Sequence, residues 1–478
     1  MARYECDVCG HIYDEDKEGK KWSELNDWCC PVCEAEKSSF KLIKQDIKIK
    51  TPHGEIEVEV KENLDKGYLS EWKKDSDDFE NHMADIHRIA ETGKTIYEPM
   101  RTKKPVISWD DILFKGAQLS RLPLDKDANV STKTTIGPAA KHPLVLESPI
   151  YISHMSFGAL SKEVKIALAK GSAEVKTAIC SGEGGILPDE FKHAYRYIFE
   201  YVPHEYSVTD ANLKKVDAIE IKIGQGTKPG MGGHLPADKV TAEVAKVRGK
   251  KKGEDVHSPS YFPDIKNKDE LKTKVDYLRK KSDGRPIGIK IAAGHIEEDL
   301  EVAVYAKPDF ITIDGRGGAT GSSPKYIRDS SSVPTLFALY RARKFLDENK
   351  IKGMSLVITG GLRIASDFAK AIALGADAVA IATSVMIAAG CQQYRVCNTG
   401  KCPIGIATQD PELRKRLKID VSAKRVENFL RVSNQDMMEF ARITGHKNVH
   451  ELSMADICTT NSEISDNSNI EHVGGKNE

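Results

Sequence analysis

The sequence has no run of about 18 uninterrupted apolar residues, so no membrane-spanning helix is expected. It has no excess of one charge: 71 Lys and Arg face 71 Asp and Glu. With neither sign dominant, neither nucleic acid nor a membrane surface is an expected partner. The start, Met1-Ala2-Arg3-Tyr4, lacks the apolar core of a secretory signal, so the cytoplasm is the expected compartment. No short-period repeat is present. Hydrophobic residues, at 40% of 478, suffice for one large core plus a small module.

Cysteine, by contrast, is plentiful and clustered. Five of ten cysteines (Cys6, Cys9, Cys29, Cys30, Cys33) fall in the first 33 residues, and Cys391, Cys397 and Cys402 share one short segment. In a cytosolic chain such clusters point to metal rather than to disulfides. Cys6-x-x-Cys9 and Cys30-Pro-Val-Cys33 can place four thiolates around one tetrahedral ion, iron or zinc. Cys29 is an extra thiol beside a ligand. The later cluster lacks zinc-finger spacing. Three thiolates there can hold three corners of an iron–sulfur cluster, or be buried structural thiols.

From about residue 142, short β-branched or apolar runs alternate with amphipathic stretches, the pattern of βα units. Strands are expected at 149–153, 177–180, 218–223, 288–292, 310–313, 355–359 and 378–382. Helices are expected at 162–174, 238–247, 268–281, 335–349 and 366–374, the last capped by Ser366. Seven strands, with an eighth inferred but not located, fit an α/β fold of the (β/α)8 TIM-barrel kind. Before the barrel, 47–60 alternates like a hairpin around Pro52-His53-Gly54. The expected organisation is a module at 1–42, a linker and packing arm at 43–104, the barrel at 105–458 and a flexible tail at 459–478.

Glycine-rich turns follow the strands, and such turns at the carboxyl ends of barrel strands let backbone N–H groups approach a phosphate. Gly317, Gly318, Thr320 and Gly321 belong to one such turn, and Gly360-Gly361 with Ala382-Thr383 would make a phosphate site. Lys222, Gln225 and Lys228 recur every three residues after a strand, putting two cations and an amide into the barrel mouth. That set suits a dicarboxylate. His154, His234 and His295 read as local hydrogen-bonding residues, and Cys180 as an inert buried thiol.

Two resemblances sharpen this. Tyr4-x-Cys-x-x-Cys-Gly-x-Ile-Tyr-Asp, Asp27-Trp-x-Cys-Pro-x-Cys and Lys37-x-x-Phe40 resemble rubredoxin, with a shorter spacer. This implies mononuclear iron on Cys6, Cys9, Cys30 and Cys33, with zinc left open. The motifs Met155-Ser-Phe-Gly-Ala-Leu-Ser161, Ser181-Gly-Glu-Gly-Gly185, Ile221–Pro236, Asp314–Gly321, Thr359–Arg363 and Cys391–Gln409 resemble, in order, the FMN domain of glutamate synthases. The family implies FMN, and a [3Fe–4S] cluster on Cys391, Cys397 and Cys402. It sets Met155 and Ser156 against the flavin ring and makes Lys222, Gln225 and Lys228 neighbours of substrate and flavin. Lys290 would hold negative charge on the reduced ring, or else form a structural ion pair. Glu183 would be the acid–base residue, and Arg248 a carboxylate-binding or a surface arginine. Ala319 stands where the family more often has glycine.

The expected reaction is reduction of 2-iminoglutarate, formed from 2-oxoglutarate and ammonia, to L-glutamate. Electrons would come from rubredoxin-type iron. Expected partners are a separate glutaminase or electron-donor protein and a second copy of the chain. The alternatives are another amino or 2-oxo acid, such as an N-alkylated glutamate, and a pure electron-transfer module.

Overall fold

The computed structural model describes residues 2–26, 28–51, 54–60, 72, 74 and 76–475. The chain divides into two units, Met1–Lys94 and Thr95–Glu478. The residues expected to form one arm at 43–104 are therefore shared between them. No helix of the described residues is long and apolar enough to cross a membrane.

In the first unit, Ala2–Cys6 pairs antiparallel with Ile12–Asp14 on one side and with Phe40–Thr51 on the other. Phe40–Thr51 continues into a hairpin with Gly54–Val60. The expected hairpin is thus present, while Pro52 and His53 of its turn lie outside the described residues. Trp22 contacts Tyr4, Tyr13, Trp28 and Phe40 at centroid distances of 4.4–5.3 Å. A module this small has little aliphatic core, so ring-on-ring packing covers the cysteines.

The second unit is built on a closed barrel of eight parallel strands in sequential order. They are Ile150–Ile152, Ala178–Cys180, Arg196–Tyr201, Ala218–Lys222, Ile287–Ala292, Phe310–Asp314, Ser355–Thr359 and Ala378–Ile381. Both faces of each strand are covered, which explains the nearly continuous apolar runs. Ile150, Ile152, Ile219, Ile221, Ile287 and Ile289 pack outward into the main core with the helices. Tyr151, Cys180, Ile198, Ala218, Phe310 and Val357 form a separate inner cluster. Ile136 and Leu144, from the hairpin of Thr134–Ile136 and Leu144–Leu146, join that inner cluster. Gly288 has no side chain because a Cβ would collide with the Phe310 ring.

Strand three, Arg196-Tyr-Ile-Phe-Glu-Tyr201, is the one not located in the sequence. Its aromatic residues face the core while Glu200 is buried. A glutamate inside an aromatic run does not read as a buried strand.

Helices Lys162–Glu174 and Lys268–Lys281 stand as expected, capped by Ser161 and Asn267. The stretch expected as one helix at 238–247 splits instead into a turn at Ala237–Lys239 and a helix at Ala242–Arg248. Thr241 caps the second piece and restarts the helix there. Ser366 is not a cap. The helix spans Ala365–Ala373, and the Asp367 carboxylate accepts the N–H groups of Arg363 and Ile364.

A 25-residue helix, Ile419–Ile443, packs on Lys162–Glu174, where a Cβ on Gly171 would lie 2.7 Å from the Ala423 carbonyl oxygen. The tail is ordered rather than flexible through residue 475. Ile457–Thr459 pairs with Ile112–Phe114, Ser462–Asp466 is helical, and Ile464 and Ile470 are buried. Two buried isoleucines anchor a segment whose Asn, Ser and Gly content reads as disordered.

Candidate active site and metal centres

Alternation along the strands sets charged side chains at the barrel axis towards its carboxyl end. Glu200, Glu220, Lys290 and Thr312 are all buried there. Lys290 Nζ lies 3.4 Å from Glu200 Oε1. Burial would raise the Glu200 carboxyl, but the charges of Lys290 and Lys222 dominate and bring it down to about 2. Glu220 accepts from Thr312 and pairs with His154 Nε2.

Above this layer a pocket is lined by Ser153, His154, Gln225, Lys290, Asp314, Gly318, Ala319, Thr359, Gly360, Gly361, Leu362, Arg363, Ala382 and Thr383. Gln225, Lys290, Gly318, Gly360, Gly361, Ala382 and Thr383 are thus brought together. Gly317 is stacked behind them: a Cβ on Gly361 (φ +97°) would sit 2.8 Å from the Gly317 carbonyl oxygen. Thr335 Oγ1 donates to the Gly360 carbonyl at 2.5 Å and ties this turn down.

Met155 and Ser156 lie in the loop after the first strand, against the loop after the second. A Cβ on Gly182 would meet the Met155 backbone at 2.5 Å. Buried Lys165 fastens both loops by donating to the Met155, Cys180 and Ser181 carbonyls while pairing with Glu190 at 2.7 Å. Thr320 and Gly321 stand elsewhere. Thr320 O accepts from Met100 N, and a Cβ on Gly321 would lie 3.5 Å from Cys397 Cβ.

Beside the pocket, Lys222 Nζ lies 2.5 Å from Glu183 Oε2, and Ser258 Oγ donates to Glu183 Oε1. Burial works to raise Glu183, yet the Lys222 charge and these two hydrogen bonds leave it below the usual carboxylate range. Lys228 is buried with Ser322 Oγ at 3.5 Å. Burial and then the neighbouring Lys222 charge lower its pKa to about 8. Arg248 is buried, not on the surface. It donates to the Phe157 carbonyl at 2.8 Å and lies over the Tyr206 ring, with its Nε unpartnered.

Sequence reasoning missed Glu200, Glu220, Ser258 and Arg363. Charged residues on the inner face of a barrel strand were the available signal for the first two. Arg363, just past the Gly360-Gly361 turn, is pushed down to about 10 by burial and by Arg101. It also lines a second cavity, of about 260 Å³, with Met100, Arg101, Thr383, Ile387, Gln393 and Arg395.

In the first unit the sulfurs of Cys6, Cys9, Cys30 and Cys33 all lie within 4.8 Å of one another, with Cys9–Cys30 at 3.5 Å and Cys6–Cys33 at 3.7 Å. Cys29 is exposed and lies outside this set, its backbone forming an isolated antiparallel bridge with Glu36. Burial raises Cys30, but the backbone N–H groups of Val32 and Cys33 outweigh it and bring the thiol to about 7, which favours thiolate. Four sulfurs around one point fit a single tetrahedral ion.

The other three cysteines are not drawn together so tightly, although Cys391 and Cys402 are close enough to help burial push Cys397 up to about 11. Cys391 Sγ accepts from Gln393 N and Nε2 at 3.5 and 3.3 Å.

A family model described as the conserved region in glutamate synthase matches residues 80–447. A glutamate synthase large subunit-like protein of Rhizobium meliloti (strain 1021) is 36% identical over 80% of this chain and 91% of its own. An archaeal-type glutamate synthase [NADPH] of Thermotoga maritima is 36% identical, covering 75% of each chain. An archaeal glutamate synthase [NADPH] of Methanocaldococcus jannaschii is 39% identical over 67% of this chain and 62% of its own. With a match over most of its length, and the cysteine-bound module of rubredoxin type beside it, the chain belongs to the glutamate synthase family and is an oxidoreductase of that type.

Proposed function

We propose that the barrel binds FMN and reduces 2-iminoglutarate, formed from 2-oxoglutarate and ammonia, to L-glutamate. The observation that carries this is the pairing of a glycine-walled pocket with Glu183, Lys222 and Lys228 beside it. The phosphate would be held by the Gly360-Gly361 and Thr383 backbone with Arg363, a half-buried cation whose guanidinium donates to the Leu362 carbonyl rather than to a carboxylate. Lys290, at the pocket floor, would stand near the flavin ring. When bound, FMN supplies the exchange between single electrons and a hydride pair.

The protein's own groups do the rest. Lys228 and Arg248 give the substrate carboxylates buried cationic partners, strong because water is excluded. Lys222 fixes Glu183 in its ionised form, so the carboxylate would accept a hydrogen bond from the protonated substrate nitrogen and hold that proton in place while hydride arrives at carbon. Electrons would reach the barrel from iron on Cys6, Cys9, Cys30 and Cys33 through a [3Fe–4S] cluster on Cys391, Cys397 and Cys402. A separate glutaminase would supply ammonia and a separate protein the electrons, in the cytoplasm. Ala319 in the pocket wall favours a second reading, in which the same site takes another 2-oxo acid or an N-alkylated glutamate.

Anaerobic assay of reduced protein with 2-oxoglutarate and ammonium tests this. Glutamate formed well above a flavin-free control supports it. No glutamate, with turnover of another acid in the same assay, moves the assignment to the second reading.

A further inference from the structure

The cavity of about 260 Å³ adjoins the glycine-walled pocket and shares Arg363 and Thr383 with it. Arg101, Gln393 and Arg395 complete its polar lining. The three arginines come from distant parts of the chain. Arg101 precedes the barrel, Arg363 follows the seventh strand, and Arg395 lies between Cys391 and Cys397.

These cations are gathered without counter-charge. Among the described residues none of the three guanidinium groups forms an ion pair: Arg363 Nη1 donates to the Leu362 carbonyl at 3.0 Å and Arg395 Nη1 to the Arg101 carbonyl at 3.5 Å. Asp367 offsets little of the charge, because its carboxylate accepts the backbone N–H groups of Arg363 and Ile364. Like charges held in one cavity repel until an anion joins them.

The backbone around the cavity is also strained. Met100, Gln393 and Arg395 line it at φ +72°, +58° and +57°, a left-handed region that residues with a Cβ adopt at a cost. Strain gathered on one cavity wall marks a site whose side chains are held for a ligand.

We propose that Arg101 and Arg395 close with Arg363 on the phosphate of FMN, and that this phosphate braces the cysteine loop against the barrel. The inference rests on the FMN reading above. Planar guanidinium groups suit a phosphate because each can donate two parallel hydrogen bonds. Arg395 belongs to the same loop as Cys391, Cys397 and Cys402, so a phosphate bound through it restrains that loop from the flavin side.

The test compares FMN with riboflavin, which lacks only the phosphate, on the full chain with its iron retained and its flavin exchanged. Flavin fluorescence gives both affinities in the wild type, Arg101→Gln and Arg395→Gln. FMN affinity should fall by about 10- to 100-fold in each variant while riboflavin affinity holds. Arg101 lies outside the cysteine loop, so its variant keeps the test valid if Arg395→Gln disturbs the iron, which is counted in parallel. Hydrogen exchange over 391–402 should slow on adding FMN to the wild type and not on adding riboflavin. A wild type that binds neither flavin overturns the FMN reading and the clamp with it. A wild type that prefers FMN, with the same preference kept in both variants, overturns the clamp alone. Equal slowing by FMN and riboflavin overturns the brace. Slowing of the riboflavin-loaded loop by inorganic phosphate, with the FMN preference intact in both variants, would make the cavity a separate anion site and overturn the clamp as well.

Discussion

Glu183, just past the second barrel strand, and Lys222, the last residue of the fourth, meet at 2.5 Å across the mouth of the third. This ion pair keeps Glu183 ionised despite its burial. A carboxylate that handles a proton typically contributes about 10²–10⁴-fold to rate. Glu183→Gln should therefore lower kcat by that order, and should also lower the melting temperature because it leaves Lys222 without its nearest counter-charge; kcat is read on protein shown to be folded. A Gln variant with near wild-type kcat would remove Glu183 from the chemistry.

Lys228 gives the reaction a pH limit. Burial and Lys222 bring it to about 8, so it is charged below that pH and neutral above. Because kcat/KM reports free-enzyme groups, its value for a dicarboxylate should fall as pH rises through about 8. Lys228→Ala should lower kcat/KM at pH 7 and flatten that limb. Steady-state profiles from pH 6 to 10 check both arms.

The barrel was legible in the sequence because its strands are covered on two faces and its helices keep their period. Seven strands, and the helices at 162 and 268, stand where the pattern put them. The third strand escaped because Glu200 belongs to the site rather than to the core. Its partner Lys290 sits 90 positions away, and the cost of burying one is offset only by the other. The ordered tail escaped for a related reason: two isoleucines, Ile464 and Ile470, outweigh a polar composition. Glu183, Lys222 and Lys228 could be singled out because they follow barrel strands, whose loops converge, and the fold brings Glu183 and Lys222 into contact. Ser258 was not, because it arrives on a strap whose path only the fold reveals.

The Glu200–Lys290 pair should also be visible in stability. Glu200 is depressed to about 2, so its contribution is complete above the unfolded carboxyl value and is lost as pH falls towards 2. Glu200→Gln leaves buried Lys290 without its counter-charge, which costs about 3–5 kcal/mol. Thermal melts should show a large drop at pH 7 that shrinks towards pH 2–3. An equal drop at every pH would contradict the pairing.

Gly361 tests the phosphate turn. At φ +97°, with a Cβ directed at the Gly317 carbonyl, alanine cannot be placed without moving the turn. Gly361→Ala should release most of the FMN, measured as bound flavin per chain. Full retention would place the phosphate elsewhere.

Cys29 and Cys30 offer a paired control. Cys30 is one of four converging sulfurs and Cys29 is exposed outside them. Cys30→Ser should lose the metal of the first unit and Cys29→Ser should keep it, read by metal analysis. Equal loss from both would mean that the neighbouring thiol shares the site.

The central claim is that sulfur-bound iron serves a flavin seated among the glycine turns of the barrel. The most direct measurement is absorption and metal analysis of protein isolated without oxygen. The account expects one FMN and about four iron atoms per chain, one tetrahedral and three in a cluster. It also expects the flavin to bleach on reduction and to reoxidise on adding 2-oxoglutarate with ammonium. Colourless protein containing zinc alone and no flavin would contradict it.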